Sequence, residues 1–330
     1  MPGAWKRLRA LAVPPEEQPG RRRALRFAGL AIIATFAVVA AARLDLRRVV
    51  VSVASARPGP LALAAAGCVA NLGFHAARWA AVTRLPVGRV RFRAVFDAMV
   101  AGFAVGVAVP ARAGDLVRAH LLARRTGLST VAVVGAAAVD YVVGTATLVP
   151  LIVLTGIATP LPDWARHALL LTSIMAAAGI ALVFLFRPPA EDLGPAGEPD
   201  GEPPSPGLVA RLRSGLAAAR DPVALARAFT WGLAGWGAEL AMAWATLAAV
   251  GVEPSVAVAS LVVVATAAAN AIAVSPGNAG PFELAAMLPL AGLGVPTERA
   301  LAFALLLHGV HLAPAAVLGG IALLREAREA

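Results

Sequence analysis

Apolar positions in this chain form long unbroken blocks, not a stripe opposite a polar face. The blocks fall at about 24–42, 61–83, 94–110, 128–155, 164–186, 223–250, 254–274 and 299–324. A helix that is apolar all round is buried in protein or in lipid, and one that crosses the hydrocarbon needs about 20 mostly apolar residues. The pattern therefore predicts an all-α polytopic membrane protein. It breaks between 187 and 222, where the chain reads "RPPAEDLGPAGEPDGEPPSPG" and beyond. A stretch so rich in Pro, Gly and acid cannot bury a core. The expectation is a flexible cytoplasmic linker, 187–222, between an N-terminal membrane half (1–186) and a C-terminal one (223–330).

Composition agrees: 59% of residues are hydrophobic and the mean hydropathy is +0.76. The net charge of +10 then needs no nucleic acid, because arginines at the ends of spans set orientation and attract anionic lipid. With Cys68 as the one cysteine, an intrachain disulfide is excluded and a Cys-based metal site is not expected. Heavy use of Ala, Arg, Gly and Pro points to a GC-rich bacterial genome and so to the bacterial inner membrane. Lys6, Arg7, Arg9, Arg21, Arg22, Arg23 and Arg26 precede the first apolar block. Ala40-Ala41-Ala42 resembles a signal-peptide cleavage site, but the segment is over-long for one and reads better as a first spanning anchor.

Lys and Arg concentrate on the cytoplasmic side of short loops. The N-terminus and the connection 84–93 (Arg84, Arg89, Arg91, Arg93) are therefore placed inside, and the arginine-free loop 156–163 outside. If 94–110 crossed fully, Arg112, Arg118, Arg124 and Arg125 would lie outside, against the rule. The rule holds if 94–125 enters from the cytoplasm, turns at 110–114 and returns. In the C-terminal half, Arg325 and Arg328 put the C-terminus inside. The segment 254–297 must then enter from outside, break at 276–280 and go back. The predicted architecture is six crossings plus two opposed re-entrant helical hairpins (94–125 and 254–297), an inverted repeat. The loop 43–60, with Arg43, Arg47, Arg48 and Arg57, is an exception.

The two breaks, "AVGVAVPARAGDLVRAH" (104–120) and "SPGNAGPFE" (275–283), share a Pro-x-x-x-Gly skeleton. Non-helical backbone at membrane depth is tolerated only against protein or a wet cavity. Each returning arm starts a helix whose free N–H groups point inward. In the first, Gly114 and Asp115 follow Arg112, a combination suited to a phosphate. Arg112 either grips that phosphate or pairs with Asp115 to hold the turn. Arg118 is a headgroup or ion-pair contact. In the second break Asn278 and Gly280 hold the corresponding places. Glu283, the lone formal charge between 254 and 297, is either a membrane-depth carboxylate of a proton or substrate pathway or an N-terminal-turn glutamate.

Arg78, Asp97, Asp140 and Glu239 interrupt other apolar blocks. Asp97 is expected at a solvated end. Asp140 and Glu239 can pair Arg112 or Arg78 across the bundle. His308 and His311, i and i+3, share a helix face and suit packing or a proton relay better than a metal pair; His75 reads as structural. Nucleophile elbow, P-loop, dinucleotide fingerprint and H-E-x-x-H are all missing, so neither an enzyme nor a bound cofactor is expected.

At these breaks the sequence resembles the lysylphosphatidylglycerol synthase transmembrane region family. The family's Pro-x-Arg-x-Gly-Glu, then Arg, then Leu-Leu, is matched by Pro110, Arg112, Gly114, Asp115, Arg118 and Leu121-Leu122. Its Pro-Gly-Gly-x-Gly-x-x-Glu is matched by Pro276, Gly277, Asn278, Gly280 and Glu283, and "ARWAAV" (77–82) resembles its arginine-tryptophan element. The similarity spans roughly 25–325. It implies a flippase that moves an anionic phospholipid or a polyprenyl-phosphate-type headgroup between leaflets, with a separate synthase or glycosyltransferase as partner. An acidic-arginine pair of the family stands here as Asp140-Tyr141, and an arginine of its last crossing as His308. Two other readings are a proton-coupled carrier or channel for a soluble solute, relayed through Glu283 and His308, and a membrane scaffold presenting lipid to a synthase.

Overall fold

The computed structural model describes residues 19–83, 90–108, 113–158, 163–186, 207–272 and 275–329, and every regular element among them is helical. In chain order they are α1 (Pro19–Arg43), α2 (Leu46–Ala54), α3 (Pro58–Val82), α4 (Phe92–Ala108), α5 (Ala113–Thr126), α6 (Thr130–Ala158), α7 (Asp163–Phe186), α8 (Leu208–Gly215), α9 (Pro222–Ala249), α10 (Val256–Ile272), α11 (Pro281–Ala291) and α12 (Thr297–Glu329). Helices α3, α6 and α12 are long and apolar enough to cross a bilayer alone, and α1 with α2 makes a further, bent candidate. Helix α9 has the length, but Arg227 and Glu239 dilute its apolar character.

The supposed external loop 43–60 is largely helix. The chain turns by 100° between α1 and α2, and Asp45 caps α2 by accepting the N–H groups of Arg47 and Arg48 at 3.0 and 3.2 Å. Val49 packs on Leu301 and Ala302 of α12, while Val50 and Val51 face outward. Arg47 and Arg48 thus sit on an amphipathic helix of the kind that lies along a membrane surface.

The two sequence halves do not fold as separate bodies. The most extensive helix contacts are α3 along α9 and α4 along α12, and both pairs join one half to the other. Trp79, Met99 and Leu122 share a continuous core with Met242, Phe303 and Leu307. The stretch read as linker is structured at its C-terminal end. Helix α8 and a 3-10 turn (Leu216–Arg220) pack on α6, burying Leu216, Ala218 and Ala219, with Gly215 against the Ala132 carbonyl and Gly135. Residues 187–206 lie outside the described residues.

Helices α4 and α5 form an antiparallel hairpin, as the pairs Gly102–Gly114, Met99–Arg118 and Asp97–Arg125 show. Small residues let the backbones touch. A Cβ on Gly114 would overlap the carbonyl of Gly102, and one on Gly102 would lie 2.7 Å from the carbonyl of Gly114. Helices α10 and α11 pack together as well. Between them the turn Pro276–Asn278 meets the end of α4, where a Cβ on Gly277 would lie 3.7 Å from the Val107 carbonyl.

Gly114→Val should lower stability by ~1–3 kcal/mol or more, since backbone cannot yield as a side chain does. Gly73→Ala, which meets nothing within 4 Å, should be neutral or stabilising by up to ~1 kcal/mol. Thermal unfolding of the detergent-purified variants measures both.

Candidate functional site

The site is built on the returning arms of the two hairpins and on α3, α6, α9 and α12. Arg112 and Pro110 lie outside the described residues, so the site begins with α5. Gly114 packs on Gly102. One turn on, Arg118 is only 3% exposed although it carries a full charge. Its Nε lies 3.1 Å from Asp115 Oδ1, its Nη1 contacts Met99 Sδ at 3.1 Å, and its guanidinium lies over the rings of Trp79 and Tyr141 at 4.8 and 5.1 Å. Among the described residues, Arg118 Nη2 and Trp79 Nε1 are buried without a hydrogen-bond partner.

In front of this cation the Tyr141 hydroxyl donates to Asp115 Oδ1 at 2.6 Å. Tyr141 is 39% exposed, and Leu116 on α5, the residue after Asp115, is exposed too. The result is a buried guanidinium with donor capacity to spare, behind a partly exposed Asp115–Tyr141 pair. Such a group can bind an anionic oxygen in a fork.

Deeper in the bundle, Arg78 and Asp140 form a two-pronged pair, Nε–Oδ1 2.7 Å and Nη2–Oδ2 3.3 Å, with Asp140 1% exposed. Gly144 makes room for it, since a Cβ there would lie 2.8 Å from Arg78 Nη1. Of the two partners foreseen for Asp140, the structure selects Arg78. Among the described residues, Glu239 has no arginine partner. It accepts from Asn71 Nδ2 at 2.6 Å and meets His311 Nε2 at 2.8 Å.

At the second break, positive φ at Gly277, Asn278 and Gly280 (58°, 60° and 96°) turns the chain tightly. Asn278 donates to Asn270 Oδ1 at 2.9 Å. The Gly280 amide, expected to face a ligand, donates instead to Glu283 Oε2 at 2.7 Å. Glu283 Oε1 lies 2.6 Å from His308 Nδ1, and His308 Nε2 lies 2.8 Å from the Gly277 carbonyl. Phe282 stacks on His308 at 4.3 Å. Glu283 therefore combines both roles the sequence left open, helix cap and buried carboxylate.

Asp97 is buried, not solvated. Arg125 reaches it at 3.1 Å and also holds Glu326 at 2.8 Å, tying α5 to the end of α12. His75 meets Phe103 edge-on. Sequence reasoning missed Met99 and Tyr141 as walls around Arg118 and Asn71 as a partner of Glu239. Tyr141, the one tyrosine of the chain, carried a signal: an amphipathic ring inside an apolar block needs a partner for its hydroxyl. Among the described residues there is no cluster of His, Cys, Asp and Glu fit for a metal ion.

Arg78→Met or Asp140→Leu alone leaves an unpaired buried charge and should cost ~3–5 kcal/mol, whereas the double variant should recover most of it. Thermal unfolding of the three purified variants reads the difference.

The family model for the lysylphosphatidylglycerol synthase TM region matches residues 26–319. No curated protein matches the chain. Match and helices together make this a multi-pass membrane protein tied to lipid metabolism or transport. The chain belongs to the lysylphosphatidylglycerol synthase TM region family.

Proposed function

We propose that the protein is a flippase that carries the anionic headgroup of a phospholipid, or of a polyprenyl phosphate, between the leaflets of the bacterial inner membrane. The observation that carries this reading is the Arg118 site. A guanidinium with an unpartnered Nη2 stands behind a partly exposed Asp115–Tyr141 pair, on helices whose exposed residues include Leu116. A soluble anion has no reason to be sought from that side, whereas a lipid can present its phosphate there and leave its chains in the bilayer. Arg112, on sequence grounds, would contribute a second cation from the turn before α5.

The membrane arrangement that goes with it keeps both termini cytoplasmic, with six crossings and two re-entrant hairpins. Within the described residues, helices α4 and α10 run for 17 residues each, about 26 Å, beside a hydrocarbon thickness of ~30 Å. Contact between the Gly277 turn and the end of α4 supports hairpins that meet inside the membrane. No covalent chemistry is asked of the protein.

A proton-coupled carrier of a soluble solute is the second reading. Two carboxylate–imidazole pairs, the buried Glu283–His308 and the half-buried Glu239–His311, favour it.

The test uses proteoliposomes with a fluorescent anionic phospholipid in one leaflet, together with native mass spectrometry of the purified protein. Wild type should move the lipid and retain an anionic lipid in the spectrometer. Arg118→Gln should weaken both by about 10- to 100-fold, the worth of a charge-assisted hydrogen bond; Tyr141→Phe, which keeps the ring, should lose less. Wild-type vesicles that never move lipid, with an unselective lipid mixture bound to every variant, would sink the flippase reading.

A further inference from the structure

Hydrogen-bond accounting at α12 leads past the anion site. A backbone carbonyl only accepts. His308 Nε2 faces the Gly277 carbonyl at 2.8 Å, so that nitrogen carries a hydrogen. The other nitrogen, Nδ1, lies 2.6 Å from Glu283 Oε1. A neutral imidazole protonated at Nε2 has a lone pair at Nδ1, and a carboxylate has lone pairs too. The contact forms only if a proton lies between them, either as imidazolium with carboxylate or as neutral imidazole with carboxylic acid. His311, three residues on, repeats the arrangement. Its Nδ1 faces the Leu307 carbonyl at 2.7 Å and its Nε2 faces Glu239 Oε2 at 2.8 Å.

We infer that each pair, Glu283–His308 and Glu239–His311, holds one transferable proton, so that α12 with the second hairpin forms a proton-binding site that couples proton movement to transport. The coupling half of this rests on the flippase reading above; the proton site does not.

The surroundings fit a site that loads and unloads. Phe282 of α11 stacks on His308, and the groups beside Gly277 and Gly280, which the pair bonds, carry no charge: Leu312 and the Val107 carbonyl at the first, Ile32 and Phe36 of α1 at the second. Phe282 contacts both imidazoles, stacked on His308 at 4.3 Å and edge-on to His311 at 5.5 Å. Around Glu239 and His311, α3 supplies Asn71, the Cys68 thiol at 3.8 Å from the His311 carbonyl, and His75 within electrostatic reach. Beyond His75 stand the Arg78–Asp140 pair and Arg118.

Release of the proton to water leaves the ring one N–H, so His308 can keep its bond to the Glu283 carboxylate or its bond to the Gly277 carbonyl, but not both. The Gly277 bond reaches the Pro276–Asn278 turn, the segment that touches the end of α4. The shared proton therefore lets one ring hold Glu283 and that turn together.

The first experiment is nitrogen-15 NMR of detergent-purified protein labelled at histidine, with rings assigned through His308→Gln and His311→Gln. At neutral pH, both rings should show protonated or proton-sharing nitrogens at both positions. Glu283→Gln, which keeps the shape, should reduce His308 to a single N–H and leave His311 unchanged; Glu239→Gln should do the reverse. Single-N–H neutral rings in wild type, indifferent to either substitution, would overturn the proposal.

The second uses wild-type and Glu283→Gln proteoliposomes with a pH dye inside and an imposed gradient. Several-fold faster lipid movement with proton entry, abolished in Glu283→Gln, is the expected result. Lipid movement indifferent to the gradient would overturn the coupling and leave the flippase reading intact. Proton-sharing rings with no lipid movement under any gradient would overturn the flippase reading and leave the proton site.

Discussion

A charge buried among membrane helices must bring its partner with it, and in this fold that requirement decides which helices touch. Leaving one partner alone costs several kcal/mol. Arg78 therefore ties α3 to α6 through Asp140, Glu283 ties α11 to α12 through His308, and Glu239 joins α9 to α12 and, through Asn71, to α3. Each link crosses between helices that apolar packing alone would let slide, because lipid competes equally well for an alanine or leucine surface. Polar pairs supply register, and glycines supply the approach that lets them form, as Gly144 does beside the Arg78 guanidinium.

Arg118 departs from that rule in an informative way. Its neighbours satisfy the charge only in part: one carboxylate at the surface, the Tyr141 hydroxyl, one thioether and two aromatic faces. Aromatic faces stabilise a guanidinium without using its N–H groups, so donor capacity survives burial. The pair Arg78–Asp140 shows what full satisfaction looks like on the same pair of helices, α3 and α6, that supply Trp79 and Tyr141. The contrast between a closed arginine and an open one separates a structural ion pair from a candidate ligand site.

Much of this was legible in the sequence because lipid writes in long words. The apolar blocks at 61–83, 128–155 and 299–324 became α3, α6 and α12 with ends shifted by a few residues. The break at 276–280 fell between helices, whereas of 110–114 the described part, Ala113 and Gly114, already belongs to α5. Asp140 was legible as a pairing residue, since an aspartate inside an apolar block needs a cation. Partner choice was harder. Glu239 belongs to His311, a contact 72 residues away in sequence, and no local pattern encodes that distance. Helix α2 was hidden by its own arginines: nine residues are too short for a span and too basic for a core, which is the signature of a surface helix and also of a loop. Asp97 was placed in solvent because it lies near a helix end, but the end of α12 returns over it with Arg325 and Glu326. The C-terminal part of the linker was hidden likewise, since small residues such as Gly215 pack only when a complementary Gly135 is already in place.

How such a protein could expose one site to two leaflets is constrained by its packing. Rocking residues 1–186 against 223–330 would strip α3 from α9 and α4 from α12, the two most extensive contacts in the fold. Motion is cheaper where contacts are few and bonds are local. Helix α1 makes only sparse contacts with its neighbours, and Ile32 and Phe36 lie across Gly280 at the start of α11. The Pro276–Asn278 turn beneath is tied to α12 by the bond from His308 to Gly277 and to α10 by Asn278 to Asn270, while the bonds of the Asn278 N–H to Ser275 and of Ser275 Oγ to Ala279 are local. In the proposed transport cycle, a headgroup passing between the hairpins would need α1 to swing aside and this turn to retract, while the α3–α9 and α4–α12 core stayed fixed. The helices that share the core would then be the frame, and the second hairpin with α1 the moving part.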